Sequence, residues 1–541
     1  MTLPHHDIAI IGSGFAGSLL ALACRQLGLR VLLLERGQHP RFAIGESSTP
    51  LANLLLEELA SQYDLPQIAA FSKWGTWRRT YPFIRCGLKR GFSFFQHSRG
   101  KPFAPMPSRR NELRVAASPS DQIADTHWFR EDFDAFLCDQ ARAVGVSYVD
   151  RIELETPVRT AAHWRLVGQR DHVKCGWTAG ALFDATGPRG FLFRAFGLKE
   201  IRMPRLPATA ALFSHFKNVP LWGDLHPSAE RAPFPVDDAA LHHLIDGGWI
   251  WVLRFLDGTV SAGVAACGAE AQRFNFNSGA SAWRRVLSEY PSIQRQFEHA
   301  EPIRPFGHMA SLSFQCETLS GDHWAMLPSA GGFVDPLLST GFPLALLGIL
   351  RVAGIVRDQF GRRNFSESLE QHARITRCEL LAAENLIASL YTAFDDFELF
   401  TNLSLLYFAA ASFSETVRRL GRPELAGGFL LHDHPVHGPR IAECCALARD
   451  LAKPREARDP ARKHLLHLIQ DTIRPINVAG LADSTRRNWY PVNLEDLYAA
   501  APKVRATHQE IDAMLARCGL TPRHGEPGSP ADSVNLEADR S

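Results

Sequence analysis

The chain has 541 residues, of which 45% are hydrophobic and 21% are charged, a composition typical of globular proteins and unlike that of disordered or fibrous chains. Its 59 basic and 57 acidic residues nearly cancel, which excludes the strong positive charge expected for binding nucleic acid or an anionic membrane surface. A chain of this length is expected to form two or three packed lobes rather than one core.

The ten cysteines are scattered without a CxxC motif or Cys/His ligand spacing. This distribution is typical of reduced thiols and predicts neither disulfides nor a metal site. The N-terminal sequence MTLPHHDIAIIGSG lacks the basic and cleavable apolar regions of a secretion signal. The most apolar later stretch, residues 342–356, is broken by Arg351 and is shorter than a membrane span. We therefore expect a cytoplasmic protein without a membrane span.

The N-terminal region has the order strand, glycine turn, helix, strand. Residues 7–11 form a short apolar run, GSGFAGS follows, LLALACRQLG has helical periodicity, and RVLLLERG is a second apolar run. Parallel strands joined by a crossover helix make a βαβ unit. Further helices are predicted over 49–63, where Pro50 occupies the first turn, and over 127–144.

The middle and C-terminal parts of the chain differ in pattern. Residues 72–120 are typical of loops and short strands, and alternating, aromatic-rich segments continue to about residue 315, which predicts a mixed or antiparallel sheet. After Gly341 the pattern becomes helical, with a long amphipathic region over 365–420 and further helices to about Arg517. The last residues are rich in Pro, Gly, Asp and Ser and predict a disordered tail.

The glycine turn carries a dinucleotide-binding pattern. Gly12, Gly14 and Gly17 form G-x-G-x-x-G directly after the first strand. Such glycines permit a tight turn, close approach of the backbone to a pyrophosphate, and close packing of the following helix. Glu35 ends the second strand, where a carboxylate accepts hydrogen bonds from ribose hydroxyls. This context predicts a dinucleotide site.

Three further segments indicate which dinucleotide binds. GESSTP at 45–50, Arg130 and DATGP at 184–188 occur in the order that resembles the glutathione-reductase type of FAD-binding fold. The small residues of the ATG triplet suit a strand end that passes close to the cofactor. The residues expected to contact FAD are Gly12, Gly14, Phe15, Ala16, Gly17, Glu35, Arg36, Glu46, Ser47, Ser48, Arg130, Ala185, Thr186, Gly187, Asp335, Gly341 and Phe342.

The segment 321–350 resembles the second FAD-contacting stretch of this fold, in which a loop ends and a long helix begins beside the flavin ring. Thr340 and Gly341 fall near the predicted helix N-terminus, where free N–H groups and the helix dipole favour an anion. A reduced flavin or a bound halide would satisfy such a site. Ser339, Thr340 and Gly341 are therefore candidate halide ligands; a helix cap without a ligand remains an alternative.

These motifs together resemble the flavin-dependent halogenases, a family that includes tryptophan, phenol and carrier-bound pyrrole halogenases. The resemblance covers about residues 5–420 and rests on GSGFAG, GESSTP, CGLKRGFSFF, GGWIWVLRF and FVDPLLSTG. It implies FAD that a separate flavin reductase supplies in reduced form, and a halide co-substrate. In the family, dioxygen and the reduced flavin convert the halide to hypohalous acid, which reaches an essential lysine beside an aromatic substrate.

Lys89 in KRGFSFF matches the family's lysine. A lysine amine can polarise hypohalous acid by hydrogen bonding or accept the halogen as a haloamine, whereas an arginine remains charged. The resemblance therefore implies that Lys89 is the catalytic residue. Lys73 in FSKWGTW stays an alternative.

The chain departs from the family pattern at three places. The W-x-W-x-I-P segment appears as WIWVLR at 249–254, so both tryptophans remain and the Ile-Pro is lost, which puts strict halogenation in question. Residues 328–330, PSA, replace a G-D-A or G-N-A triplet. Leu338 stands where tryptophan halogenases carry a glutamate. This last difference favours a phenolic, pyrrolic or carrier-bound substrate over free tryptophan.

The predicted fold class is α/β. We expect a discontinuous FAD-binding domain of the glutathione-reductase type, a substrate domain with a mixed or antiparallel sheet, a helical C-terminal lobe and a disordered tail. The boundaries are 1–60, 121–200 and 300–360 for the first, 61–120 and 201–299 for the second, 361–517 for the third and 518–541 for the tail.

Two other functions remain open. An FAD-dependent monooxygenase or a reductase of the geranylgeranyl-reductase type would share the glycine turn and the ATG triplet. A flavin-binding partner protein without catalysis would tolerate the altered motifs. Because the sequence has no second glycine fingerprint, external reduction of the flavin is favoured. The His-rich stretch 430–438, with His432, His434 and His437, is better explained as a solvated loop than as a metal site.

Overall fold

The computed structural model describes residues 3–451 and 458–521, so the predicted tail lies outside the described residues from position 522 onward. The strands are β1 (His5–Ile11), β2 (Val31–Leu34), β3 (Cys86–Lys89), β4 (Gly91–Gln96), β5 (Glu112–Ala116), β6 (Asp125–Trp128), β7 (Ser147–Val149), β8 (Ile152–Leu154), β9 (Val158–Arg159), β10 (Trp164–Arg170), β11 (Val173–Asp184), β12 (Glu200–Ile201), β13 (Thr209–Lys217), β14 (Ala240–Ile245), β15 (Gly248–Arg254), β16 (Val260–Cys267), β17 (Glu301–Pro302), β18 (Gly307–Met309), β19 (Phe314–Cys316), β20 (Ser320–Gly321), β21 (Trp324–Met326), β22 (Gly332–Phe333) and β23 (Trp489–Tyr490).

Helices surround these strands and form most of the C-terminal region. They are α1 (Phe15–Gln26), α2 (Pro50–Gln62), α3 (Pro66–Ala69), α4 (Trp74–Thr80), α5 (Arg130–Ala143), α6 (Phe191–Ala195), α7 (Trp222–Leu225), α8 (Gly268–Phe274), α9 (Ala280–Ser288), α10 (Pro291–Gln296), α11 (Pro328–Gly331), α12 (Gly341–Gln359), α13 (Phe365–Thr392), α14 (Phe397–Arg419), α15 (His437–Asp450), α16 (Arg458–Ile473), α17 (Leu494–Ala499) and α18 (His508–Cys518).

The first sheet is the dinucleotide-binding sheet. Its main order is β20-β21-β11-β1-β2-β7, and β21, β11, β1, β2 and β7 run parallel. Ile10 of β1 pairs with Leu33 on one side and Phe183 on the other, and all three are fully buried. Parallel strands covered on both faces are continuous apolar runs, as residues 8–11 of β1 and the whole of β2 are. The βαβ unit and the Rossmann-type fold predicted from the sequence are confirmed.

The second sheet has the order β17-β13-β16-β15-β14-β4-β5-β23, with β18 beside β13. Its pairs are antiparallel except for β14 with β4 and β5 with β23. It is the mixed sheet that the alternating segments predict. Helices α8, α9 and α10 interrupt the predicted strand region, and they cover one face of this sheet with a separate apolar core that includes Trp283 and Ile293.

The start of α5 differs from the sequence prediction. Residues 127 and 128 belong to β6, which pairs with β3, and the helix begins at Arg130. The pairing of His127 with Gly87 explains the difference, because a strand partner from a distant segment overrides the local helical pattern. Helix α4 likewise forms inside the region predicted to hold only loops and strands.

The C-terminal lobe is helical, as predicted. The amphipathic region 365–420 forms α13 and α14, and the Asp396 carboxylate caps α14 by accepting from the Leu399 N–H at 3.1 Å. Helix α12 packs between α1, α2 and α13. One helical segment, Leu337–Gln359, is long and apolar enough by length and composition to cross a membrane, but 67% of its most apolar window is buried inside the fold. The core helix of a globular protein passes the same test.

Candidate active site

The glycine turn after β1 has room only for glycine at two positions. Gly12 has φ +98°, and a Cβ there would lie 2.7 Å from the Ala185 carbonyl oxygen. A Cβ on Gly17 would overlap the Gly12 carbonyl oxygen. The turn therefore packs directly against the end of β11, and Gly14 precedes α1 without a capping side chain. The free N–H groups at this helix start fit a pyrophosphate.

Glu35 lies at the end of β2, as expected for a ribose-binding carboxylate. Its oxygens accept from the N–H groups of Ser13 at 3.0 Å and Gly37 at 2.8 Å, and from the Arg41 guanidinium at 3.1 Å. Burial opposes its ionisation, but Arg41 and these N–H groups outweigh burial and lower the pKa of Glu35. Arg36 is exposed. Arg41, which the sequence analysis missed, also lies 3.7 Å from the Cβ position of Gly14.

A cleft of about 410 Å³ opens between the two sheets, next to the glycine turn. Most residues predicted to contact FAD line it. Six of them do not line it: Gly12, Gly17, Glu35, Arg36, Ser48 and Asp335. The Ser48 hydroxyl donates to the Thr126 carbonyl at 2.8 Å, and Asp335 is buried. The predicted residues that line the cleft are Gly14, Phe15, Ala16, Glu46, Ser47, Arg130, Ala185, Thr186, Gly187, Ser339, Thr340, Gly341 and Phe342.

Two buried polar pairs hold the cleft rim at residues 44–46. Arg130 forms a bidentate ion pair with Asp134, with N–O distances of 2.8 and 2.7 Å, and donates to the carbonyls of Ile44 and Gly45. Glu46 Oε1 lies within hydrogen-bond distance of His215 Nε2, at 3.0 Å. Because His215 lies on β13, the second pair ties the rim to the second sheet.

The opposite wall of the cleft is β15. Trp249, Trp251 and Leu253 alternate along this strand and all line the cleft, as side chains two residues apart must share a face. Both tryptophans are buried. The Trp249 indole N–H donates to the Tyr391 hydroxyl at 3.2 Å, so the strand is connected to α13.

The loop before α12 brings the predicted halide residues to the cleft. Leu338 and Ser339 both have left-handed backbone conformations, with φ of 63° and 56°. Thr340 is the N-cap residue of α12, but its side chain makes no capping hydrogen bond. The first N–H groups of this nineteen-residue helix therefore face the cleft without the side-chain cap that the alternative interpretation requires.

Lys89 ends β3 and is completely buried. Its Nζ donates to the Ser48 carbonyl and lies 3.9 Å from the centre of the Phe92 ring. Burial lowers the pKa of Lys89 to about 7, against the opposing effect of the Asp125 carboxylate. Asp125 is the register partner of Lys89 on β6, and burial raises the pKa of its carboxyl group. Asn53 donates to this carboxyl group at 2.7 Å.

Lys73 lies in different surroundings. Its Nζ donates to the Cys518 carbonyl at 3.2 Å and is 3.9 Å from Glu57, and the side chain is 20% exposed. Like Lys89, Lys73 lines neither the cleft nor the second cavity described below, and among the described residues its amine contacts none that lines either space. These contacts bind the C-terminal helix α18 to the rest of the chain.

A second cavity of about 190 Å³ lies close to Lys89, although Lys89 itself lines neither this cavity nor the cleft. Phe92, which contacts the Lys89 amine, lines this cavity, and so do Thr49 and Pro50. Ser47 lines the cleft, so the segment around the Ser48 carbonyl separates the two spaces. The remaining lining of the second cavity is mostly apolar. It includes Tyr407, Phe408, Glu415, Leu430, Leu481 and Tyr490.

Within the two described ranges, no three His, Cys, Asp or Glu side chains lie close enough together to hold a metal ion. In the His-rich stretch, the His434 ring stacks on His437 at 4.3 Å and its Nδ1 accepts from two backbone N–H groups. Polar groups come together at two places, the cleft and the surroundings of Lys89. Together with the Rossmann-type sheet, they define an FAD-dependent oxidoreductase.

Known proteins narrow this class. Residues 10–54 match the family described as an NAD(P)-binding Rossmann-like domain. The chain is 28% identical over 405 residues to monodechloroaminopyrrolnitrin halogenase PrnC of Pseudomonas fluorescens, covering 73% of this chain and 69% of that one. It is 27% identical to tetracycline 7-halogenase of Kitasatospora aureofaciens over 389 residues, covering 68% and 67%.

A solved structure agrees with these relatives. Halogenase PltM in complex with phloroglucinol and FAD superimposes with a TM-score of 0.79 and 25% identity, over 89% of this chain and 99% of that one. The chain is related to flavin-dependent halogenases in sequence and in fold, and the resemblance recognised in the sequence is confirmed. FAD is its cofactor, since the residues around the cleft fit it and the structural relative binds it.

Proposed function

We propose that this protein is a halogenase that uses reduced FAD, dioxygen and a halide to halogenate an electron-rich aromatic compound in secondary metabolism. One observation carries the proposal: the buried amine of Lys89 contacts the Ser48 carbonyl, next to Ser47 of the cleft that fits FAD, and the ring of Phe92, which lines a mostly apolar cavity that fits an aromatic ring. Bound FAD supplies the oxidising chemistry on the cleft side. The remaining work belongs to the protein's own side chains.

The halide is proposed to bind where Ser339, Thr340 and Gly341 meet the cleft. The uncapped N–H groups at the start of α12 and the positive end of its dipole suit an anion. The proposed FAD contacts are those named from the sequence, except Ser48 and Asp335, which do not line the cleft. Arg130 and Glu46 fix the rim of the cleft.

Lys89 is proposed to direct the halogen. A neutral amine can take the halogen from hypohalous acid with release of water, and it is regenerated when the aromatic ring takes the halogen and loses a proton. Burial favours the neutral amine, because it lowers the pKa of Lys89. Asp125, whose carboxyl pKa burial raises, is placed on the facing strand to hold a proton.

The second cavity is proposed to bind the substrate. Its lining is mostly apolar, and Phe92 and Phe408 form a tilted pair at 5.1 Å between ring centres. Glu415 is the acidic residue of this lining, and its carboxylate is held by Arg419 at 2.7 Å. A carboxylate there suits a ring hydroxyl or N–H donor, which fits phenols and pyrroles. Relatives named for tetracycline and a pyrrolnitrin precursor, and a structure with phloroglucinol, support an aromatic substrate.

The first test is a mass-spectrometric assay of the purified protein with FAD, a flavin reductase, NADH, dioxygen and bromide or chloride. The substrates are phenols, pyrroles and indoles, both free and attached to a carrier protein. We expect a product with the halogen isotope pattern that disappears when halide is omitted. An oxygenated product formed equally well without halide would identify a monooxygenase instead.

A further inference from the structure

The loop that carries the proposed halide ligands adopts an unfavourable backbone conformation. Leu338 and Ser339 are consecutive non-glycine residues with positive φ, and left-handed conformations of this kind cost free energy in L-amino acids. Such conformations persist only where the surroundings determine them. The contacts around this loop therefore indicate what the protein does to keep it in place.

Three buried side chains hold it, one from the loop itself and two from the helices α13 and α14. The Tyr407 hydroxyl on α14 donates to the Leu338 carbonyl at 3.1 Å. The Asp335 carboxylate accepts from the Leu337 N–H at 3.0 Å through Oδ1 and from the Tyr391 hydroxyl at 3.0 Å through Oδ2. We call Asp335, Tyr391 and Tyr407 the loop clamp.

The loop clamp is connected to both cavities. The Tyr391 hydroxyl accepts from the Trp249 indole N–H, and Trp249 lines the cleft beside Ser339 and Thr340. Tyr407 lines the second cavity. All three clamp side chains are buried, so water does not compete for their hydrogen bonds.

We propose that Asp335, Tyr391 and Tyr407 are positioning residues that hold the Leu338–Ser339 backbone in its halide-binding conformation and thereby set the affinity for halide. This inference rests on the proposed halogenase function. It also gives the first tryptophan of the WIWVLR segment a role, since Trp249 holds the Tyr391 hydroxyl in the direction of Asp335.

The test uses Tyr391→Phe and Tyr407→Phe, each of which removes one hydroxyl group and little volume. Tyr290→Phe is the matched control, because Tyr290 is fully buried and its hydroxyl accepts from the Asp246 N–H at 3.1 Å, outside both cavities. Bromide is titrated into each FAD-loaded protein while flavin absorbance is followed, a readout that needs no turnover. The KM values for bromide and for the aromatic substrate are then measured separately.

We expect Tyr391→Phe and Tyr407→Phe to weaken bromide binding about fivefold or more, as the loss of one buried hydrogen bond predicts, while FAD affinity stays unchanged. For Tyr391→Phe, which lines neither cavity, the KM for bromide should rise and that for the aromatic substrate should not. Asp335→Asn, whose amide oxygen still accepts from Leu337, should bind bromide more tightly than Asp335→Ala.

Bromide affinities within twofold of the wild type in both tyrosine variants, at normal FAD affinity, would overturn the positioning role and leave the halogenase function intact. Equal affinities of Asp335→Asn and Asp335→Ala would also contradict it. A wild-type protein that binds no bromide and forms no halide-dependent product would instead overturn the proposed function, and the positioning role with it.

Discussion

The amine of a single residue, Lys89, is the site of the proposed halogen transfer. Lys89 is buried, yet it forms no close ion pair among the described side chains; its Nζ is held by the Ser48 carbonyl and the Phe92 ring. An amine removed from water loses the solvation that stabilises its charged form, so it is available as a neutral nucleophile near neutral pH. The Lys73 side chain, by contrast, is partly exposed to water and lies near a carboxylate.

Lys89→Met keeps most of the side-chain length and removes the amine. We expect it to lower the rate of halogenation at least ~100-fold, the scale of a lost acid–base or nucleophilic group, while FAD binding persists. Lys73→Met, the matched control, should halogenate at nearly the wild-type rate. Both variants are assayed for product formation by mass spectrometry and for FAD binding by fluorescence. The reverse pattern would assign the role to Lys73.

Because the neutral amine is the proposed reactive form, we expect the activity to depend on pH. Activity should rise as pH increases through about 7, the pKa of Lys89, because deprotonation creates the reactive form. The Asp125 carboxylate raises this pKa, so Asp125→Asn should lower it and move the rise in kcat/KM to lower pH. The profiles of wild type and variant are compared with the same aromatic substrate. Activity that instead falls through this range would show that the ammonium form acts, as a hydrogen-bond donor to hypohalous acid.

The glycine turn between β1 and α1 is an element whose backbone is in direct contact with a neighbouring strand. The end of β11 passes so close that side chains are excluded at Gly12 and Gly17. The same closeness exposes the N-terminus of α1 to the cleft. Cofactor binding at this element is therefore sensitive to a single methyl group.

Gly17→Ala places a Cβ on the Gly12 carbonyl oxygen and should displace the turn, with a loss of FAD affinity of at least tenfold. Gly354→Ala in α12 is the control, since no atom lies within 4 Å of its Cβ position. That change should leave FAD affinity unaltered and raise the free energy of unfolding by up to about 1 kcal/mol, the helix propensity difference. FAD titration and denaturant unfolding measure the two effects; normal FAD affinity of Gly17→Ala would contradict the assigned role.

At the scale of the whole molecule, the two sheets and the helical lobe enclose one dinucleotide cleft. The sequence contains one G-x-G-x-x-G motif, and the Rossmann-like match covers residues 10–54 only. The sequence has no second glycine fingerprint for a nicotinamide cofactor. This supports the proposal that a separate flavin reductase reduces the FAD.

We expect NADH or NADPH alone to reduce the bound FAD no faster than it reduces free FAD. Addition of a flavin reductase, or of chemically reduced FAD, should load the protein with reduced cofactor within the mixing time of a rapid assay. Anaerobic stopped-flow absorbance of the flavin distinguishes the two cases. Fast reduction by a pyridine nucleotide alone would remove the need for a partner and favour a self-reducing monooxygenase.

The sequence predicted what depends on neighbouring residues. The strand, glycine turn and helix are contiguous, so their pattern identified the dinucleotide site and, with the motifs that follow, the family. The two tryptophans of β15 also share a face simply because strands alternate. The predicted start of α5 was wrong, because residues 127 and 128 pair with the distant β3 as part of β6 instead of joining the helix.

The tertiary structure decided what depends on distant residues. Local sequence leaves Lys89 and Lys73 as alternatives. Packing buries the first against the Ser48 carbonyl and the Phe92 ring, whereas the second meets helix α18. Asp335 turns away from the cleft because Tyr391, 56 positions later in the chain, donates to it. Motif spacing carries no information about such partners, since contacts between separate elements are fixed only when the sheets and helices pack together.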